Sequence, residues 1–140
     1  MRVALVLICL ALPAQAWKAG VSDGICTLSH ETANVSVQLT YDPALPQYAI
    51  TVTGPDDWPD APVFAMHFLG GRELFISTDR HVIDGPALTV TDRGFGNVLD
   101  GLEFNTRAVA ASGGAAVDIP LDGAAPAVAA FRACTTAPTA

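Results

Sequence analysis

The chain has 140 residues, 51% hydrophobic and 15% charged, with a formal net charge of −7. That length holds one domain with a modest core. A negative field of this size repels nucleic acid and anionic lipid and suits a cationic partner, although solubility alone would account for it equally well.

The first segment is Arg2 followed by the apolar run Val3 to Leu12 and the small-x-small triplet Ala14-Gln15-Ala16. This order predicts a secretory signal peptide, residues 1–16, cut before Trp17, and a periplasmic or secreted product. The run is too short to span a bilayer. Cys9 lies mid-run behind Ile8, where a lipoprotein would need a small residue at the end of the run, so no acyl anchor is expected. Removing 1–16 takes Arg2 away, brings the net charge to −8, and leaves 17–140 as a single β-rich domain. It also leaves two cysteines, Cys26 and Cys134. In an oxidising compartment an isolated even pair predicts one structural disulfide linking the two ends of the domain. No C-x-x-C spacing suggests a redox pair.

Val35, Val37, Leu39 and Tyr41 alternate with Ser36, Gln38, Thr40 and Asp42, which predicts a half-buried strand. Tyr48, Ile50 and Val52 predict a second, forming a hairpin with it. Asp56-Asp57-Trp58-Pro59-Asp60 belongs to a proline-rich acidic loop. Val63 to Leu69 and Arg72 to Thr78 predict a hairpin around Gly70-Gly71, with Leu69 opposite Arg72 and Met66 opposite Phe75. Phe64, Met66, Phe68 and Phe75 then share one face, and the hairpin should be central and covered on both sides. A further hairpin is expected around Asp84-Gly85, with Leu88 and Val90 inward. Phe95, Val98, Leu99 and Leu102 fall at i, i+3, i+4 and i+7, the spacing of a short amphipathic helix. Strands follow at Arg107 to Ala111 and Ala116 to Leu121. A terminal Ala-rich helix spans Ala124 to Cys134, with Ala127, Ala130, Phe131 and Cys134 on one face. The fold class is therefore mainly β: an antiparallel β-sandwich or open barrel of about eight strands with two short helices, its termini linked by one disulfide.

The segment Phe95 to Cys134, with its short helix, strand, turn, strand, Leu121-Asp122-Gly123 step and Ala-rich helix, resembles the end of small secreted domains of the invasion-associated locus B type. The whole chain is similar to small periplasmic proteins of Ala-rich alphaproteobacterial genomes. The resemblance implies a periplasmic or secreted β-rich domain without an established catalytic reaction, and it supplies no catalytic residues.

Candidate chemistry is sparse. His30, His67 and His81 lack the spacing of a metal pair, and no metal or cofactor is expected. There is no Gly-x-Ser-x-Gly nucleophile turn. The acidic loop lacks the ligand spacing of a calcium loop. Thr-Asp-Arg occurs twice, at Thr78-Asp79-Arg80 and Thr91-Asp92-Arg93. The first copy should end a strand, and Asp92 of the second suits the N-cap of the helix that follows. The copies would meet if Arg80 or Arg93 pairs with Asp92 or Asp79. The interaction candidates are Trp58, which either folds over the sheet from its proline-stiffened loop or stands out as an exposed anchor, with Asp79, Arg80, His81, Asp92 and Arg93. The first functional reading is a non-enzymatic periplasmic or secreted domain that binds a protein or envelope component. The alternatives are an acidic inhibitor of a basic envelope-active enzyme, and a small hydrolase-like enzyme using His81 or His67 with Asp79 or Asp92.

Overall fold

A computed structural model describes residues 17–137. The segment 1–16, expected to be a signal peptide, lies with Cys9 outside the described residues. The elements run β1 (Lys18–Ser22), β2 (Ile25–Glu31), β3 (Ser36–Asp42), β4 (Gln47–Thr53), β5 (Phe64–Leu69), β6 (Leu74–Thr78), β7 (Val82–Asp84), β8 (Ala87–Asp92), α1 (Gly96–Glu103), β9 (Arg107–Ser112), β10 (Ala115–Pro120) and α2 (Ala124–Thr136). They form two antiparallel sheets, ordered β1-β2-β3-β4-β8-β7 and β10-β9-β5-β6. This is the predicted β-rich, sandwich-like class, enlarged at the N-terminus by the β1–β2 hairpin.

The six-stranded sheet separates its two faces cleanly. Leu28, Leu39, Ile50 and Val90 follow one another across the ladder on the inner face. Thr27, Thr40, Ala49 and Thr91 do so on the outer face. Alternation in sequence thus becomes one face in the core and one in water. Phe64, Met66 and Phe68 of β5 are buried on the inner face of the smaller sheet, as are Ala108 and Ala110 of the neighbouring β9.

The β5–β6 hairpin differs from the expectation in register. Met66 lies opposite Ile76, and His67 opposite Phe75. The connection is one residue longer than a two-residue Gly70-Gly71 turn would allow. A one-residue slip moves every side chain of a strand to the other face. Leu74 and Ile76 consequently turn inward, and Phe75 is 64% exposed. β5 is interior, while β6 is an edge and is not covered on both sides.

Two helices complete the core where the four-stranded sheet is too narrow to cover the six-stranded one. In α1, Val98, Leu99 and Leu102 are buried, and Phe95 is buried at its N-cap. Gly101 sits against Phe68: a Cβ there would lie 2.5 Å from the aromatic ring. Gly101→Ala should therefore destabilise the fold by about 1–3 kcal/mol through overpacking, outweighing a helix-propensity gain of about 1 kcal/mol. Chemical denaturation checks this, and a more stable variant would contradict the packing. In α2 the buried stripe is Ala124, Ala127, Val128 and Phe131. Ala130, expected on that stripe, is instead exposed. Arg132 of α2 pairs with Asp100 of α1 at 2.7 Å. The disulfide joins Cys26 to Cys134 with Cα atoms 6.0 Å apart and ties α2 to β2. Trp17 closes the same side, stacked on His30 at 4.8 Å and donating its indole N–H to the Pro120 carbonyl at 3.1 Å.

Candidate functional site

The two sheets do not close along their β6 and β7–β8 side. α1 covers the inner face of the smaller sheet near Phe68. Trp58 packs edge-on against Phe64, with ring centroids 6.2 Å apart, at the other end of β5. Between these two covers a cleft of about 550 Å³ remains. Its floor is apolar: Ile50 and Val90 from the larger sheet, Met66 and Ile76 from the smaller, and Phe95 and Val98 at the start of α1. Its mouth is polar and includes Thr78, Arg80, Asp92 and Asn97. Clefts of a few hundred Å³, apolar inside with a few placed polar groups, are the usual form of a binding site.

The Thr-Asp-Arg copies meet at this mouth. Arg80, two residues past the end of β6, donates to Asp92 at the end of β8 at 2.9 Å. Asp92 does not cap α1, whose N-cap is Phe95 without a side-chain cap bond. Its other oxygen accepts the backbone N–H of Arg93 at 2.7 Å, and the strand has already spent the carboxylate before the helix begins. The pair is exposed on both sides, 68% and 40%. In high dielectric such a pair contributes about 0.2–1 kcal/mol, so it acts as a tether between the sheet edges more than as a source of stability. Asp79 and Arg93 are exposed and stand beside this pair in sequence.

The other candidates fall elsewhere. Trp58 is 6% exposed, and its indole N–H donates to the Val52 carbonyl at 3.3 Å. Its backbone N–H donates to the Gly85 carbonyl at 2.9 Å. It belongs to the core and is not an exposed anchor. The flanking Asp56, Asp57 and Asp60 remain exposed on the loop that it pins. His81 donates through Nε2 to the Ala61 carbonyl at 2.9 Å, so it orders that loop and is not joined to a carboxylate. His67 contacts Glu73 at 2.7 Å on the outer face of the smaller sheet. Among the described residues, the lining of the cleft includes no histidine, and no three His, Cys, Asp or Glu side chains gather as metal ligands.

The cleft residues Ile76, Val90, Phe95 and Asn97 carry no sequence signal beyond ordinary strand and helix patterning. The gap arises from the difference in width between the two sheets. The chain matches no family model, no curated protein and no solved structure. No helix among the described residues is long and apolar enough to cross a membrane.

Proposed function

We propose that the chain is a non-catalytic binding domain of the bacterial envelope, periplasmic or secreted, that holds a protein or envelope component at the cleft between its two sheets. The observation that carries this reading is the cleft itself, with an apolar floor and a polar mouth tethered by Arg80 and Asp92. The envelope location rests on the leader-like order of residues 1–16 and on the resemblance of the C-terminal segment. A hydrolytic role draws no support from the geometry around His81, whose Nε2 is taken up by a backbone carbonyl. An acidic inhibitor draws some from Asp56, Asp57 and Asp60, exposed on a loop clamped by Trp58.

Asn97 is exposed at the mouth of the cleft, so Asn97→Trp blocks entry without disturbing the core. Crosslinked capture from an envelope extract should be weakened about tenfold or more by this substitution. Undiminished capture by Asn97→Trp, combined with loss on changing Asp56, Asp57 and Asp60 to Asn, would replace this reading with the inhibitor.

A further inference from the structure

β6 is the edge of the four-stranded sheet and bonds to β5 on one side only. Edge strands of soluble proteins are usually guarded by proline, lysine, inward charges, bulges or a covering element, because a free row of backbone donors and acceptors templates pairing. Leu74–Thr78 reads LFIST and carries neither a charge nor a proline. Ile76, Ser77 and Thr78 line the cleft, with Ile76 and Thr78 at the half-buried positions of the strand, while Phe75 projects to the other side, 64% exposed. The cleft thus opens along an unguarded strand edge. An extended chain laid beside β6 would continue the ladder at the usual spacing of about 4.8 Å. Every second side chain would enter the cleft, and the others would lie beside Phe75 and Ser77. Strand addition works in this way: the ladder supplies affinity, and pockets for alternate side chains supply selectivity.

Charge narrows the occupant. Glu73 immediately precedes β6 and Asp79 immediately follows it, and both are exposed. Each has a neighbouring arginine that is engaged elsewhere: Arg80, beside Asp79, is held by Asp92, and Arg72, beside Glu73, lies over the Phe104 ring at 4.4 Å. A second copy pairing antiparallel about Ile76 would set Glu73 against the other copy's Asp79 at both ends, and like charges directly opposite are unfavourable. A basic residue would instead meet each of these carboxylates, giving Asp79 a cationic partner and Glu73 a second contact beside the one that it makes with His67 at 2.7 Å. The net charge of −7 acts in the same direction over longer range.

We propose that β6 and the cleft behind it form a docking edge for an extended segment of a protein partner. That segment carries apolar side chains at alternate positions and a Lys or Arg at each end, six residues apart. The proposal rests on the reading of the cleft as the binding site and names the class of partner it takes.

The probe is the capped peptide Lys-Val-Ser-Leu-Ser-Val-Lys, titrated into the full chain by NMR. Two backbone N-methylated forms, each blocking one side of its ladder, and a form with Glu in place of Lys complete the set. The parent peptide should shift the amides of Leu74–Thr78, and one of the two N-methylated forms should lose binding. The Glu form should bind about tenfold more weakly. In the double variant Glu73→Lys, Asp79→Lys, the preference between the Lys and Glu forms should reverse. Equal binding by both N-methylated forms would overturn strand addition, and equal binding by the Lys and Glu forms would overturn the charge selection. Self-association that competes with the peptide would put a second copy in its place. Absence of peptide binding, with capture still lost in Asn97→Trp, would sink the peptide proposal and leave the cleft reading standing. Absence of both effects would sink the cleft reading itself.

Discussion

Trp58→Ala should cost about 3–5 kcal/mol of stability, the range for removing a buried large aromatic. The indole is 6% exposed and packs edge-on against Phe64. Its N–H donates to the Val52 carbonyl, and its removal would open a hole between the acidic loop and β5. The loss should appear as a lower midpoint in urea unfolding with an unchanged slope. Trp58→Phe keeps most of the packing and removes the indole hydrogen bond, so it should cost about 1 kcal/mol more than the packing change alone. A cost below about 1 kcal/mol for Trp58→Ala would mean that the residue is a surface anchor after all. The core position also means that loss of partner binding in this variant would report unfolding, which is why Asn97→Trp is the informative substitution at the cleft.

The second large effect belongs to the disulfide. Cys26 and Cys134 are 108 residues apart in sequence. Closing a loop of that size restricts the unfolded chain by about 4.7 kcal/mol in the chain-entropy model, and typical measured values are about 2–4 kcal/mol. The paired variant Cys26→Ser, Cys134→Ser should therefore unfold at a much lower denaturant concentration than the oxidised protein. α2 should also gain the largest increase in amide exchange, because the bridge is what fixes its last turn to β2. Val128 and Phe131 are fully buried and keep the helix docked in the native state. The expected result is lower stability with the same fold. An unchanged midpoint under reducing conditions would show that packing alone holds α2.

Most of the fold was legible because its sheets obey period-two patterning. Val35 to Tyr41 and Tyr48 to Val52 alternate in sequence and across the ladder alike. The β1–β2 hairpin was harder to see because β1 exposes four of its five residues, leaving no apolar alternation to detect. Its signal was the turn: Asp23 and Gly24 both adopt positive φ, 52° and 78°, as the Asp-Gly pair of a tight hairpin does. The β5–β6 register escaped for a different reason. β6 carries Leu74, Phe75 and Ile76 in succession, so its apolar pattern fits either face, and only the length of the connection decides which one turns inward.

The candidate site was partly visible as well. The pairing of Arg80 with Asp92 follows from a hairpin that places the two Thr-Asp-Arg copies at neighbouring strand ends, and that much could be inferred from spacing. The cleft above the pair could not. It depends on a six-stranded sheet facing a four-stranded one and on where Trp58 and α1 stop covering the difference. Proline-rich acidic composition around Trp58 left two readings open, a ring folded over the sheet or an exposed anchor; the ring turns inward, and its backbone N–H bonds to the Gly85 carbonyl. Local composition described the loop and did not reveal its anchor.

The most direct test of the cleft as the binding site is site-specific photocrosslinking in an envelope extract. One photoreactive residue replaces Asn97 at the mouth of the cleft, and another replaces Gln38, exposed on the outer face of the larger sheet. The cleft reading predicts a discrete crosslinked partner from position 97 and none from position 38. Crosslinking from position 38 alone, or equally from both, would contradict it.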